Sequence, residues 1–121
     1  MKICITAKGN SLETAVDPRF GRCDYFIIAD SETMEFEAIA NANAQTTGGS
    51  GIAAGQLVSE HNVEAVLTGS VGPNAYRTLE AAAIKIYTGV SGSVMSAIEG
   101  FRKKSFAPVT KPTVDSHFGM Q

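Results

Sequence analysis

Short apolar runs set off by small and polar residues divide the chain into strands and helices. Lys2 to Ala7, brief and rich in β-branched residues, predicts a first strand. Asp24 to Asp30, built on Tyr25-Phe26-Ile27-Ile28-Ala29, predicts a second. Between them Gly9, Asn10, Pro18 and Gly21 mark a long connection over 8–22. From Met34 to Asn41 the positions Met34, Phe36, Ala38 and Ala40 alternate with polar or charged neighbours, the period of a half-exposed third strand. The short turn Ser31-Glu32-Thr33 joins the second and third strands as an antiparallel hairpin.

The pattern then changes. Thr46-Thr47-Gly48-Gly49-Ser50 carries no bulky side chain, and Ile52, Leu57 and Val58 recur at roughly helical spacing as far as about Glu60. Ala65-Val66-Leu67-Thr68 is continuously apolar until its last residue, as expected of a strand inside a parallel sheet. Gly69 to Asn74 follows, with Pro73 placed at the first turn of a helix that runs to about Ala82. Ile84 to Tyr87 predicts a fifth strand, Thr88 to Gly92 a small-residue loop, and Ser93 to Lys103 a third helix. Strand-helix-strand crossovers imply a parallel core with helices on both faces, and the early hairpin makes the sheet mixed.

This topology gathers distant loops. Those at 8–22, 46–50, 69–74 and 88–92 share the carboxyl edge of the sheet, where open α/β sheets bind ligands. Three helices begin at that edge, each after glycine and hydroxyl residues. Their first N–H groups lack intrahelical partners and carry partial positive charge, so they suit an anion. Arg19 and Arg22 add full charges. The expected ligand is compact and multiply negative, held by N–H groups, guanidinium and hydroxyls.

Composition narrows the choice. A length of 121 residues favours one domain, assigned to 1–106 with a flexible C-terminal tail over 107–121. The formal net charge of −2 carries no basic excess, so nucleic acid is not an expected partner. No apolar run reaches membrane-spanning length and the opening residues are too few for a signal-peptide core, so a cytoplasmic protein without a membrane partner is expected. Two cysteines, Cys4 and Cys23, show no zinc or disulfide spacing. Cys4 reads as a core residue; Cys23 follows Arg19 and Arg22, a neighbourhood able to lower a thiol pKa, although a structural role is the readier reading.

Familiar chemistries fit poorly. Gly49-Ser50-Gly51-Ile52-Ala53-Ala54 matches one form of a dinucleotide fingerprint, but the following strand ends in Thr68-Gly69-Ser70 with no acidic residue for a ribose. No Gly-Lys-Ser/Thr completes a phosphate loop. The serines lie outside any nucleophile-elbow motif, and His61 at a helix end reads as a capping or surface residue. The first strand has no carboxylate for metal-dependent nuclease chemistry. A non-enzymatic binding or carrier protein is expected; the alternative is a small-molecule or nucleotide-binding regulatory domain on the same glycine edge.

Four ordered motifs sharpen this. Val16-Asp17-Pro18-Arg19-Phe20-Gly21-Arg22, Gly48-Gly49-Ser50-Gly51-Ile52, Gly72-Pro73-Asn74-Ala75-Tyr76 and Gly89-Val90-Ser91-Gly92-Ser93-Val94 resemble those of the dinitrogenase iron–molybdenum cofactor biosynthesis family over about residues 1–103. Within it the chain is most similar to the small orange proteins. The resemblance implies a ribonuclease H-like three-layer α/β/α fold and a molybdenum–copper sulfide cluster, with an iron–molybdenum cofactor precursor as second choice. It also implies protein partners for cluster delivery. Arg19, Phe20, Gly21, Arg22, Gly48, Gly49, Ser50, Gly51, Gly72, Pro73 and Asn74 are the implied binding residues. Related chains often carry histidine where Arg19 stands, which leaves Cys23 as the nearest soft metal donor.

An internal echo supplies another candidate. Val114-Asp115-Ser116-His117-Phe118-Gly119 repeats the 16–21 motif at four of six positions and contains the missing histidine. The plain reading is a flexible tail after Pro108 and Pro112 that carries no role; the sharper one is that the tail folds back so that His117, beside Phe118 and Met120, helps close the cluster pocket.

Overall fold

The computed structural model describes residues 1–42 and 50–113. Five strands, β1 (Lys2–Ala7), β2 (Tyr25–Asp30), β3 (Phe36–Ala40), β4 (Ala65–Leu67) and β5 (Lys85–Tyr87), form one sheet in the order β3-β2-β1-β4-β5. The most apolar strands take the central places. β1 pairs antiparallel with β2, Cys4 facing Ile28, and parallel with β4, Cys4 facing Val66. β2 and β3 are antiparallel, and β4 and β5 are parallel, so β2 alone runs against the others.

Alternating side chains build two cores from these strands. Cys4, Phe26, Ile28, Val66 and Ile86 face α1 (Ser50–Glu60) and α2 (Pro73–Ala81), which contribute Ala54, Val58, Ala75, Tyr76 and Leu79. Ile3, Ile5, Ile27, Ala29 and Leu67 face α3 (Val94–Arg102) and the long first connection, through Val94, Ala97, Ile98, Leu12 and Val16. Helices therefore cover both faces. α1 and α2 pack closely because Gly55 has no side chain: a Cβ there would lie 2.7 Å from Thr78 Cγ2.

Element boundaries shift where polar groups end a strand early. Met34 adopts φ 67° and donates its N–H to the Asp30 carbonyl, while Asp30 Oδ1 accepts the N–H groups of Glu32 and Thr33. The turn thus uses residues through Glu35, and β3 starts at Phe36 rather than Met34. Ile84 likewise donates its N–H to Leu79, closing α2, and β5 begins one residue later.

The chain beyond residue 106 is attached to this body as far as it is described. Val109 donates its N–H to the Ile86 carbonyl at 2.8 Å along the free edge of β5, and Thr113 bonds to Val71. The expectations placed on Gly48, Gly49 and His117 lie outside the described residues.

Candidate functional site

The floor of the carboxyl edge is a pair of threonines at the ends of β1 and β4. Thr6 Oγ1 donates to the Asp17 carbonyl at 2.7 Å and lies 2.8 Å from Thr68 Oγ1. One hydroxyl carries one proton, so the Thr68 hydroxyl donates to Thr6. Both side chains are fully buried, and this polar pair fixes where the first connection leaves the sheet. The Asp17 N–H completes the attachment by donating to the Thr6 carbonyl at 2.8 Å.

From that point residues 17–22 cross the edge as a folded loop. Asp17 is 1% exposed, and its Oδ1 accepts the Arg19 N–H at 3.0 Å and faces Arg19 Nε at 3.4 Å. Ser70 holds the loop on one side, its hydroxyl donating to the Pro18 carbonyl and its own carbonyl accepting from Phe20. Contact is close because Gly69 lacks a Cβ, which would sit 2.5 Å from Pro18 Cα. Asn41 holds the other side, its Nδ2 donating to the carbonyls of Gly21 and Cys23. Phe20 turns inward and packs edge-on against Phe26 with ring centroids 5.8 Å apart.

This clamping leaves the Arg19 side chain 42% exposed. Gly21 lies against the first turn of α1, where a Cβ would meet Gly51 Cα and N at 3.0 Å. Gly51 in turn faces Ala75 in the first turn of α2, 3.3 Å from a virtual Cβ. Gly72 precedes α2 without a side-chain cap, and Pro73 opens the helix. Arg19, Phe20, Gly21, Arg22, Ser50, Gly51, Gly72, Pro73 and Asn74 therefore share one edge, with Phe20 acting from beneath as a plug. The Asn74 Oδ1 accepts a hydrogen bond from the Arg77 guanidinium one turn on.

The structure differs from the expected three helix starts and decides between the two readings of Cys23. α3 does not offer its N-terminus to the crevice: Val94 and Met95 donate to the carbonyls of Thr14 and Leu12, and Ser93 Oγ accepts from Ser96. The first connection and the helix's own cap take these donors, so α3 differs from the expected third anion-facing helix start. Cys23 is fully buried among the apolar residues beneath α1, and burial pushes its thiol pKa up, with Cys4 and Asp17 nearby adding in the same direction. The arginines do not lower it. The Cys23 side chain packs in the core while the Arg19 side chain is partly exposed, so the thiol stays protonated and away from the edge. Cys4 is buried and shifted upward for the same reason.

Thr6, Thr68, Ser70, Asp17 and Asn41 support the site without standing out in the sequence as binding residues. The available signal was a polar residue closing an apolar strand, as Thr6 follows Ile5 and Thr68 follows Leu67. His61 lies elsewhere, 3.6 Å from Glu37 at the surface. A cleft of about 450 Å³ opens at the opposite, amino edge among Val63, Glu64, Ala83 and Lys85 and has none of these convergent donors.

The donor set can be tested against a metal–sulfur cluster. Among the described residues no group of three His, Cys, Asp or Glu side chains could hold a metal ion. What the edge does gather is the starts of α1 and α2 and a half-exposed arginine, a setting suited to an anionic surface held by hydrogen bonds and charge rather than by protein–metal bonds. The fold thus defines an α/β domain whose carboxyl edge gathers the Arg19 loop and the starts of α1 and α2.

The comparisons with known proteins narrow that class. The model of the dinitrogenase iron-molybdenum cofactor family matches residues 1–104, and the chain belongs to that family. The apo form of the orange protein from Desulfovibrio gigas superposes with a TM-score of 0.90 at 36% identity, covering 93% of this chain and 96% of the other. A NifB-like protein of the DUF35 family from Thermotoga gives 0.81 at 34% identity, covering 93% and 97%. An uncharacterized protein of Methanocaldococcus jannaschii is 30% identical over 104 residues, 84% of this chain and 85% of its own length.

Proposed function

We propose that this chain is a non-enzymatic carrier whose cargo is a polyanionic metal–sulfur cluster, a molybdenum–copper sulfide before an iron–molybdenum cofactor precursor. The observation that carries this reading is the contact of Gly21 with Gly51, which sets the Arg19 loop against the start of α1, itself against the start of α2. Sulfide ligands of such a cluster accept hydrogen bonds from these N–H groups while Arg19 and Arg22 offset charge. Similarity to the orange protein over nearly the whole chain supports the choice of cargo class, and the 3-2-1-4-5 sheet with β2 reversed supports a ribonuclease H-like classification.

The buried Cys23 plays no part as a ligand in this reading. His117 remains the candidate metal donor: it stands four positions after Thr113, a reach of at most about 14 Å from the residue bonded to Val71. Truncation after Thr113 tests it, with faster cluster loss expected and unchanged retention removing His117 from the account.

Absorption spectroscopy with elemental analysis, after purification without added metal and again after exposure to thiomolybdate and copper, tests the reading itself. A coloured protein containing molybdenum or iron with sulfide is expected. A colourless protein that also refuses both additions, yet gains thermal stability with nucleotides, would place it with the regulatory alternative.

A further inference from the structure

The residues between Pro108 and Thr113 lie beyond the matched family region, yet they are joined to the crevice at one residue. Val71 is 1% exposed, and Thr113 takes both of its backbone polar groups. The Val71 N–H donates to Thr113 Oγ1 at 2.9 Å, and the Val71 carbonyl accepts the Thr113 N–H at 2.9 Å. Without those bonds a buried donor and a buried acceptor would be left open, which is costly.

Val71 is also the link between the two walls of the crevice. The residue before it, Ser70, holds the Arg19 loop through Pro18 and Phe20. The residue after it, Gly72, precedes α2 and accepts the Tyr76 N–H in the first helical turn. A displacement of Val71 therefore moves the arginine and the α2 donors relative to each other. The strap that fixes it is itself anchored at its other end, Val109 on Ile86 of β5. Pro108 and Pro112 flank the span and limit its backbone freedom, so little ordering entropy opposes the contact.

We infer that Thr113 is a positioning residue for the anion crevice, setting the distance between the Arg19 loop and the start of α2 through Val71. The inference rests on the proposed polyanion site for its binding readout and carries a second readout that does not. Thr113→Val keeps the shape and the backbone N–H but removes the hydroxyl; Thr113→Ser restores it. With tetrathiomolybdate as probe, Thr113→Val raises the dissociation constant about five-fold, the effect of one lost buried hydrogen bond, and Thr113→Ser stays within about two-fold of the parent. A merely structural role would lower the unfolding midpoint and leave the dissociation constant unchanged, and that result overturns the inference. So does a serine variant as weak as the valine variant.

Amide chemical shifts of the ligand-free protein give the independent arm. Thr113→Val is expected to shift Phe20, Ser70 and Gly72 in addition to Val71. Changes confined to Val71 and the strap overturn the inference. If the parent protein binds no thiomolybdate, the cargo assignment fails, and these shifts alone decide the role of Thr113.

Discussion

Gly21 and Gly51 touch backbone to backbone, so closely that a Cβ on Gly21 would stand 3.0 Å from both Cα and N of Gly51. This contact joins the arginine loop to the first turn of α1. Gly21→Ala must push that turn away, because the obstructing atoms are backbone and cannot rotate aside. Overpacking of this kind costs about 1–3 kcal/mol. The same variant is expected to weaken tetrathiomolybdate binding, since the donors separate. Denaturant unfolding and a binding titration check both effects, and a variant with parental stability and affinity would show that the two segments adjust independently.

Arg19 should contribute charge rather than coordination. Its side chain is partly solvated and shares its Nε with the Asp17 carboxylate, so Arg19→Ala is expected to weaken polyanion retention about three- to ten-fold rather than abolish it. The α1 and α2 donors remain. The residual binding should also depend less steeply on salt, because one full charge has left the site. Titrations at two ionic strengths measure this, and an unchanged salt dependence would remove Arg19 from the binding surface.

The two thiols make a pH prediction whose sign follows from burial. Cys4 and Cys23 have raised pKa values in the folded chain, chiefly because burial disfavours the thiolate. In the unfolded chain each ionises at about 8.5. Their contribution to stability is complete below that pH and declines as pH rises above it, by up to about 1.4 kcal/mol per pH unit for each thiol. Cys23→Ala should flatten the alkaline decline and leave cluster binding intact. Loss of binding without loss of folding would return Cys23 to the list of metal donors. Native protein should also resist alkylation by iodoacetamide until it unfolds.

α2 ends through a left-handed residue that is not glycine. Ala83 has φ 60°, and the Ile84 N–H reaches back to Leu79 around it. An L side chain is disfavoured there, so Ala83→Gly is expected to stabilise the fold by roughly 1 kcal/mol. Thermal or denaturant unfolding checks the sign; destabilisation would mean that the methyl group contributes more by packing than it costs in backbone strain.

The periodicities were enough to place every strand and helix within one or two residues, because apolar runs such as Ile3–Ile5, Phe26–Ala29 and Ala65–Leu67 occupy both cores of the sheet. Strand directions followed from connection lengths. Less legible was the use of individual donors. The start of α3 resembled those of α1 and α2 in its glycine and serine content, but Leu12 and Thr14 occupy its N–H groups through contacts that no local pattern announces. Cys23 followed two arginines in sequence, and only the inward turn of the loop separates its thiol from their charges. Sequence proximity does not fix side-chain direction. The attachment of Thr113 to Val71 spans 42 positions and had no periodic signature.

In the proposed function a polyanionic cluster sits between the Arg19 loop and the starts of α1 and α2. Amide chemical-shift mapping during titration with tetrathiomolybdate and copper(I) tests it most directly. Saturable shifts are expected at Arg19–Arg22, Gly51 and Asn74–Ala75, with little change at Val94–Ser96, whose donors are already taken. Shifts centred on the start of α3 or on the amino-edge cleft, with the Arg19 loop and Gly51 unmoved, would contradict it.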